Sequence, residues 1–189
     1  FADAEREIRL AQETDPLSLI ASAAHGWTLY YAGRHTAALE QLRTTLQLNE
    51  QYGLVHLWGG WALEALGRTS EALVWLRRAD EISGGSDLTR LALAHALAAT
   101  PEGRDSARVI VGAVQARANR GEYVPAYEVA KVHLALDDRA TAMRWLRRAV
   151  EDRSHSRAFL RVDPQLAPLR GDAQFEQLVA TTLAATRSP

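Results

Sequence analysis

The stretch HGWTLYYAGRHTAALEQL, residues 25–42, returns as GGWALEALGRTSEALVWL, residues 59–76, and this interval of 34 residues decides the fold class. Gly26, Trp27, Leu29 and Gly33 are matched by Gly60, Trp61, Leu63 and Gly67. Ala38, Leu39 and Leu42 are matched in the same way by Ala72, Leu73 and Leu76, with no gap. A helical hairpin of this size cannot bury its apolar face alone and must stack on a copy of itself, so periods of about 20 to 50 residues mark stacked repeats. The expectation is an all-α chain of antiparallel helix pairs.

Working outward from that pair, the first complete unit spans residues 19–52, with an inner helix near Leu19 to Ala32 and an outer helix from about His35 to Leu48. The second unit spans 53–86. Gly33 and Gly67 each follow an inner helix, where glycine supplies the left-handed backbone that ends a helix without steric cost. Gly26 and Gly60 lie inside the inner helices, where glycine costs about 1 kcal/mol relative to alanine. Close approach to the outer helix, at Ala38 and Ala72, offsets that loss, and Leu42 and Leu76 fill the space one turn on.

Upstream, Ala4, Ile8 and Ala11 keep the phase of Ala38, Leu42 and Thr45, so residues 1–18 read as the second helix of a truncated repeat and the chain as a piece of a longer polypeptide. Downstream, residues 87–121 form a degenerate third unit. Leu88, Leu91, Ala94 and Leu97 hold the phase there, but Thr100-Pro101-Glu102-Gly103 replaces the single glycine of the bend and marks a loop. Residues 122–152 form a fourth unit around Ala130, Ala142, Leu146 and Ala149, with Asp137 where glycine stood. Residues 153–189 break the pattern. Asp163-Pro164 reads as an N-cap and first-turn proline, and an amphipathic segment with Phe175, Leu178, Val179 and Leu183 reads as a closing cap. The whole is taken as one domain, residues 1–189.

Composition narrows the function classes. A chain of 189 residues with 47% hydrophobic and 24% charged residues has the means to fold. No apolar run approaches the ~18 residues of a membrane span, and no signal segment is evident, so the expected location is the cytoplasm. A net charge of -1 provides no general field for nucleic acid. The absence of cysteine removes disulfides and thiolate chemistry. Lys131 is the only lysine among 22 basic residues, which reads as a compositional bias of the source.

The pairing of a small residue on each helix with a leucine or aromatic between them resembles the tetratricopeptide repeat (TPR) over about Ala4 to Ala149, with Pro16 at the family's terminal proline. A narrower resemblance lies in Ala126-Tyr127-Glu128-Val129-Ala130, Ala140 to Leu146, Phe159 to Pro164, Pro168 to Asp172 and Phe175. These are similar to the C-terminal TPR region of bacterial transcription-regulator and signalling proteins, where such regions follow a winged-helix, kinase or cyclase domain; Ala167 and Ala173 depart from that pattern. The resemblance implies a right-handed TPR-like solenoid with a C-terminal capping helix, and inner helices lining a concave side.

On that implied side, Trp27, Tyr30, Leu57, Trp61, Glu64, His95, Tyr127 and Lys131 are the candidate peptide-binding residues, because Trp and Tyr offer large contact area with few rotors and a polar tip. The same spacing also suits Trp27 and Trp61 to packing between repeats. Tyr30 and Tyr31, beside the bend, are expected to be half exposed. Arg144, Arg147, Arg148, Arg153 and Arg157, with Arg161, form the densest charge in the chain and read as a solvated face or a docking patch for an acidic partner or sister domain.

The six histidines show no paired spacing for a metal, and Ser154, His155 and Asp163 lack the sharp turn that presents a nucleophilic serine. No catalytic residue, cofactor or metal is expected. The functional expectation is a non-enzymatic module that captures a peptide or partner domain, with self-association through the exposed N-terminal helix as the alternative. RNA reading by helical hairpins, which needs polar code residues and a basic wall, is disfavoured.

Overall fold

The computed structural model describes residues 1–185 of the chain; the last four residues of the expected cap lie outside the described residues. Among the described residues are ten α-helices, three 3-10 segments and no strand. Their Cα positions divide into two compact units, Phe1–Thr89 and Arg90–Pro189.

The first unit holds α1 (Ala2–Thr14), α2 (Leu19–Tyr31), α3 (His35–Leu48), α4 (Gly53–Ala65) and α5 (Thr69–Ile82), each packed against the next. The helices begin and end where the period places them. Ser18 caps α2 by accepting from the Ala21 amide. Gly33 and Gly67 end the inner helices at φ 77° and 72°, and the amides of Arg34 and Arg68 return to the carbonyls of Leu29 and Leu63 at 2.9 Å.

The α2–α3 and α4–α5 hairpins close on the same contact. A Cβ built on Gly26 would stand 2.5 Å from Leu42 Cγ, and one on Gly60 would stand 2.5 Å from Leu76 Cγ. Both leucines are fully buried. A buried polar bridge adds to the first hairpin, with Ser22 Oγ 2.8 Å from Thr45 Oγ1 and Gln41 Nε2 donating to Ser22 at 2.9 Å. Arg34 pairs with Glu5 and ties α1 to the first bend.

The second unit contains most of α6 (Asp87–Ala98), then α7 (Arg104–Asn119), α8 (Ala126–Ala135), α9 (Arg139–Glu151) and α10 (Ala173–Ala185). The insertion at the third bend folds as a 3-10 turn, Pro101–Gly103, capped by Thr100. Asp137 takes the left-handed conformation at φ 68° in place of glycine, and Arg104 secures it by donating to the Leu136 carbonyl at 3.0 Å and the Asp137 carboxylate at 2.8 Å. Two apolar clusters fill this unit. One joins α6, α7 and α8 through Leu91, Val111, Val114 and Val129. The other joins α8 and α9 to the cap through Tyr127, Leu146, Leu160, Leu166, Leu169 and Phe175.

In the cap, Asp163 and Pro164 take the expected N-cap and first-turn positions, and the element they open is a 3-10 segment, Pro164–Leu169, ahead of the last α-helix. The α-helix starts later, where the Asp172 carboxylate accepts from the amides of Gln174 and Phe175 at 2.9 and 3.1 Å. Pro168 lacks an amide hydrogen, and the chain re-nucleates beyond Gly171 at φ 82°.

Gly60→Ala is expected to lower stability by about 1–3 kcal/mol through overpacking against Leu76, although helix propensity alone favours alanine by about 1 kcal/mol. Urea unfolding reads the sign; a midpoint that rises would show that Leu76 can yield.

Candidate functional site

In the first unit, residues four and three apart share one helix face, and on α2 that rule collects Ile20, Ala24, Trp27 and Tyr31. Ile20 is 74% exposed, and Trp27 is half-buried. On α4 the equivalent positions are Leu54, which is 40% exposed, and Trp58, which is half-buried. The Trp27 and Trp58 rings lie 5.8 Å apart, and Trp27 meets Tyr31 edge-on at 5.3 Å. The result is an aliphatic and aromatic strip that is partly open to solvent and backed by close-packed rings. A strip of this kind can desolvate apolar side chains of a ligand, and its tryptophans add large rigid contact area.

Beneath the strip sits a closed tier. Tyr30, Leu57 and Trp61 are buried, with Tyr30 centred 6.0 Å from Trp61, 5.0 Å from Tyr31 and 5.6 Å from His35. The expected half-exposure of Tyr30 and Tyr31 is therefore corrected: both are buried, Tyr30 against Trp61 of the next repeat and His35 across the bend, Tyr31 against Trp27 and Tyr30 of its own helix. Glu64 is half-exposed at the equivalent position of the next repeat. Ile20, Leu54 and Trp58 were absent from the sequence reading; Ile20 and Leu54 recur 34 residues apart, whereas Trp58 has only Ala24 as its repeat counterpart. The 20-24-27-31 spacing was the available signal.

In the second unit the chain's own cap engages Tyr127, Lys131 and His95. Lys131 is 2% exposed and Asp163 1% exposed. The Lys131 Nζ stands 2.6 Å from Glu128 Oε2 and 3.8 Å from Asp163 Oδ2, and 5.4 Å from the centre of the Tyr127 ring. Tyr127 donates its hydroxyl to Asp163 Oδ2 at 2.9 Å. Asp163 Oδ1 accepts the Gln165 amide at 2.9 Å, and the Gln165 side chain lies 3.2 Å from His95 Nδ1. Burial pushes the Glu128 carboxyl above its ordinary range, and the Lys131 charge draws it partly back. Charges this deep persist only when paired, so the cluster fastens the 3-10 segment of the cap to α8. Glu128 and Asp163 were not foreseen as partners. The lone lysine one turn from a glutamate was the local hint, whereas the Asp163 contact spans 36 residues.

The arginines of the expected docking patch lie on α9 and the turn after it. Arg144 donates to Thr141 Oγ1 at 2.7 Å and Arg147 to Gln174 Oε1 at 2.7 Å. Arg148 lies 3.5 Å from Asp152 and stacks over Trp145 at 5.1 Å. Arg153 is exposed in the left-handed region at φ 53°, and Arg157 is half-buried. Among the described residues, no three His, Asp or Glu side chains converge on a metal position, and no helix is long and apolar enough to cross a membrane.

A crystal structure of a thermophilic TPR protein from Thermus thermophilus superposes on 95% of this chain and 89% of its own, with a TM-score of 0.63 and 19% identity. The fold is TPR-like. No family model and no curated protein matches the chain in sequence. The TPR-like fold explains why the recurrent glycines and alanines sit at helix contacts, while the exposed strip and the buried ion cluster are features of this chain's own residues.

Lys131→Met is expected to cost about 3–5 kcal/mol, because it leaves Glu128 and Asp163 buried without their counter-ion; a loss below about 1 kcal/mol in denaturant titration would remove the fastening role. Burial also holds the imidazoles of His25, His35 and His133 below their ordinary value of 6.5. The unfolded chain then binds more protons below that pH, so their contribution is complete above 6.5 and is lost as pH falls toward the folded-state values. The melting temperature is expected to drop across that window, and less steeply in His35→Gln.

Proposed function

We propose that this chain is a non-enzymatic protein-interaction module that captures a peptide or helix through the α2–α4 strip of its first unit. The observation that carries the reading is the pairing of half-buried Trp27 and Trp58 with the exposed Ile20 and Leu54. Aromatic side chains at such sites dominate binding energies because they bury a large area at small entropic cost. A ligand with two apolar anchors at helical spacing suits the strip, as in helix-in-groove recognition. Trp27 remains from the expected set, Glu64 supplies a polar limit, and Ile20, Leu54 and Trp58 take over from the buried Tyr30, Leu57 and Trp61.

The resemblance of residues 126–175 to bacterial repeat regions supports placing the module in the regulatory C-terminal part of a larger cytoplasmic signalling or transcription protein. A second reading, self-association, is favoured by one specific observation: α1 exposes Leu10 at 57%, and Leu17 just beyond it is 72% exposed.

The double substitution Ile20→Glu with Leu54→Glu changes two exposed positions and is expected to leave the melting temperature nearly unchanged while weakening partner capture by about tenfold or more. Co-purification from cells expressing the full-length protein, followed by titration of the recovered partner, tests it. Retained affinity in the variant would defeat the strip as the binding surface. Sedimentation of the chain across concentrations, with and without Leu10→Glu, tests the self-association reading.

A further inference from the structure

The charge of the second unit is arranged unlike that of the first. Between residues 139 and 161 the chain carries seven arginines against two carboxylates, Glu151 and Asp152, although the net charge of the whole is -1. Elsewhere among the described residues many arginines, though not Arg9, Arg77 or Arg90, pair with a nearby carboxylate, as in Arg68–Glu71 at 2.6 Å, Arg78–Glu81 at 3.0 Å, Arg108–Asp105 at 2.6 Å and Arg117–Glu122 at 2.8 Å. On α9 and the turn after it only Arg139 and Arg148 follow that rule, at 3.3 Å from Asp172 and 3.5 Å from Asp152. Arg144 and Arg147 bond to the neutral acceptors Thr141 and Gln174, and Arg153, Arg157 and Arg161 have no carboxylate partner among the described residues.

One of these arginines, Arg147, lines an open groove of about 530 Å³ between α9 and α10, and Arg153 follows the groove residue Glu151 by two positions in the turn that leads to Arg157. Val150 and Leu178 line it with aliphatic surface, Gln177 and Thr181 lie along α10, and Arg147 stands at its edge bonded to Gln174. Unneutralised arginines repel one another and gain most from carboxylates brought by a partner, with planar forks suited to bidentate contact. Aliphatic lining next to them gains from an apolar side chain.

We infer that the α9–α10 groove is a second interaction surface, and that it takes an acidic amphipathic segment of a protein partner. Leucine-type side chains of the segment enter between Val150 and Leu178, and its flanking carboxylates meet Arg147, Arg153 and Arg157. A polynucleotide fits less well, because the lining contains no aromatic ring on which a base could stack. The surface lies wholly in the second unit and is independent of the α2–α4 strip.

The test uses the full chain and a fluorescein-labelled synthetic dodecapeptide that places leucines on one helical face and glutamates beside them, read by fluorescence anisotropy at low and physiological ionic strength. The triple variant Arg147→Glu, Arg153→Glu, Arg157→Glu is expected to weaken binding by about tenfold or more. The control variant Arg9→Glu, Arg77→Glu, Arg90→Glu makes the same change in net charge at other exposed arginines and is expected to bind within about twofold of the unmodified chain. Replacing the peptide's glutamates with glutamine abolishes binding, replacing its leucines with alanine weakens it, and Ile20→Glu with Leu54→Glu leaves it unchanged. Circular dichroism melts verify that both triple variants fold. Equal losses in the two triple variants, undiminished binding in the first, no arginine-dependent binding even at low ionic strength, or tighter arginine-dependent binding of an oligothymidylate than of the peptide would each overturn the inference.

Discussion

The approach of a leucine to a glycine backbone, Leu42 over Gly26 and Leu76 over Gly60, is the contact on which the repeats of the first unit depend. It brings inner and outer helices closer than any side chain on the inner helix would permit, and the helix tolerates the glycine because the dense packing around the leucine offsets its entropic cost. Once that distance is set, the bend must close within a few residues, which calls for the left-handed backbone at Gly33 and Gly67. The rotation of α2 and α4 follows as well. With Gly26 and Gly60 facing their outer helices, the equivalent positions Ile20 and Leu54 are both left exposed on the side of the inner helices away from that contact.

The second unit meets the same packing problem with different chemistry. Its third and fourth repeats lack the glycine–leucine contact. Valines and alanines of α6, α7 and α8 fill the first cluster, and the cap is fastened through Lys131, Glu128, Asp163 and Tyr127. A buried ion cluster is a costly way to join two segments, but it fixes register: Asp163 can satisfy Tyr127 and Lys131 in only one placement of the 3-10 segment, whereas leucines alone tolerate small slips. Leu160, Leu166 and Leu169 supply the apolar contact that such a joint needs.

The helix pairs were legible because apolar recurrence at helical spacing and glycine after each inner helix are local, repeated signals. Asp137 was legible too, as a residue standing in a glycine position, and it adopts the same positive φ. The orientation of the tryptophans was not. Trp27 and Trp61 occupy the same place in the repeat, yet Trp27 is half-buried and Trp61 is buried, because the exposure of a side chain depends on the neighbouring repeat and not on its own. Trp58 escaped notice for the related reason that a feature present in one copy leaves no periodic trace. The cluster around Lys131 depends on a partner far along the chain, and no spacing rule reaches that distance.

The burial of Lys131 has a chemical corollary. It is the only lysine in the sequence, and it lies sealed beneath the cap. The positive charge on the exterior therefore resides in guanidinium groups, which stay protonated at every physiological pH and give acylating enzymes no side-chain amine to neutralise. The electrostatic character of this surface is thus fixed against acetylation.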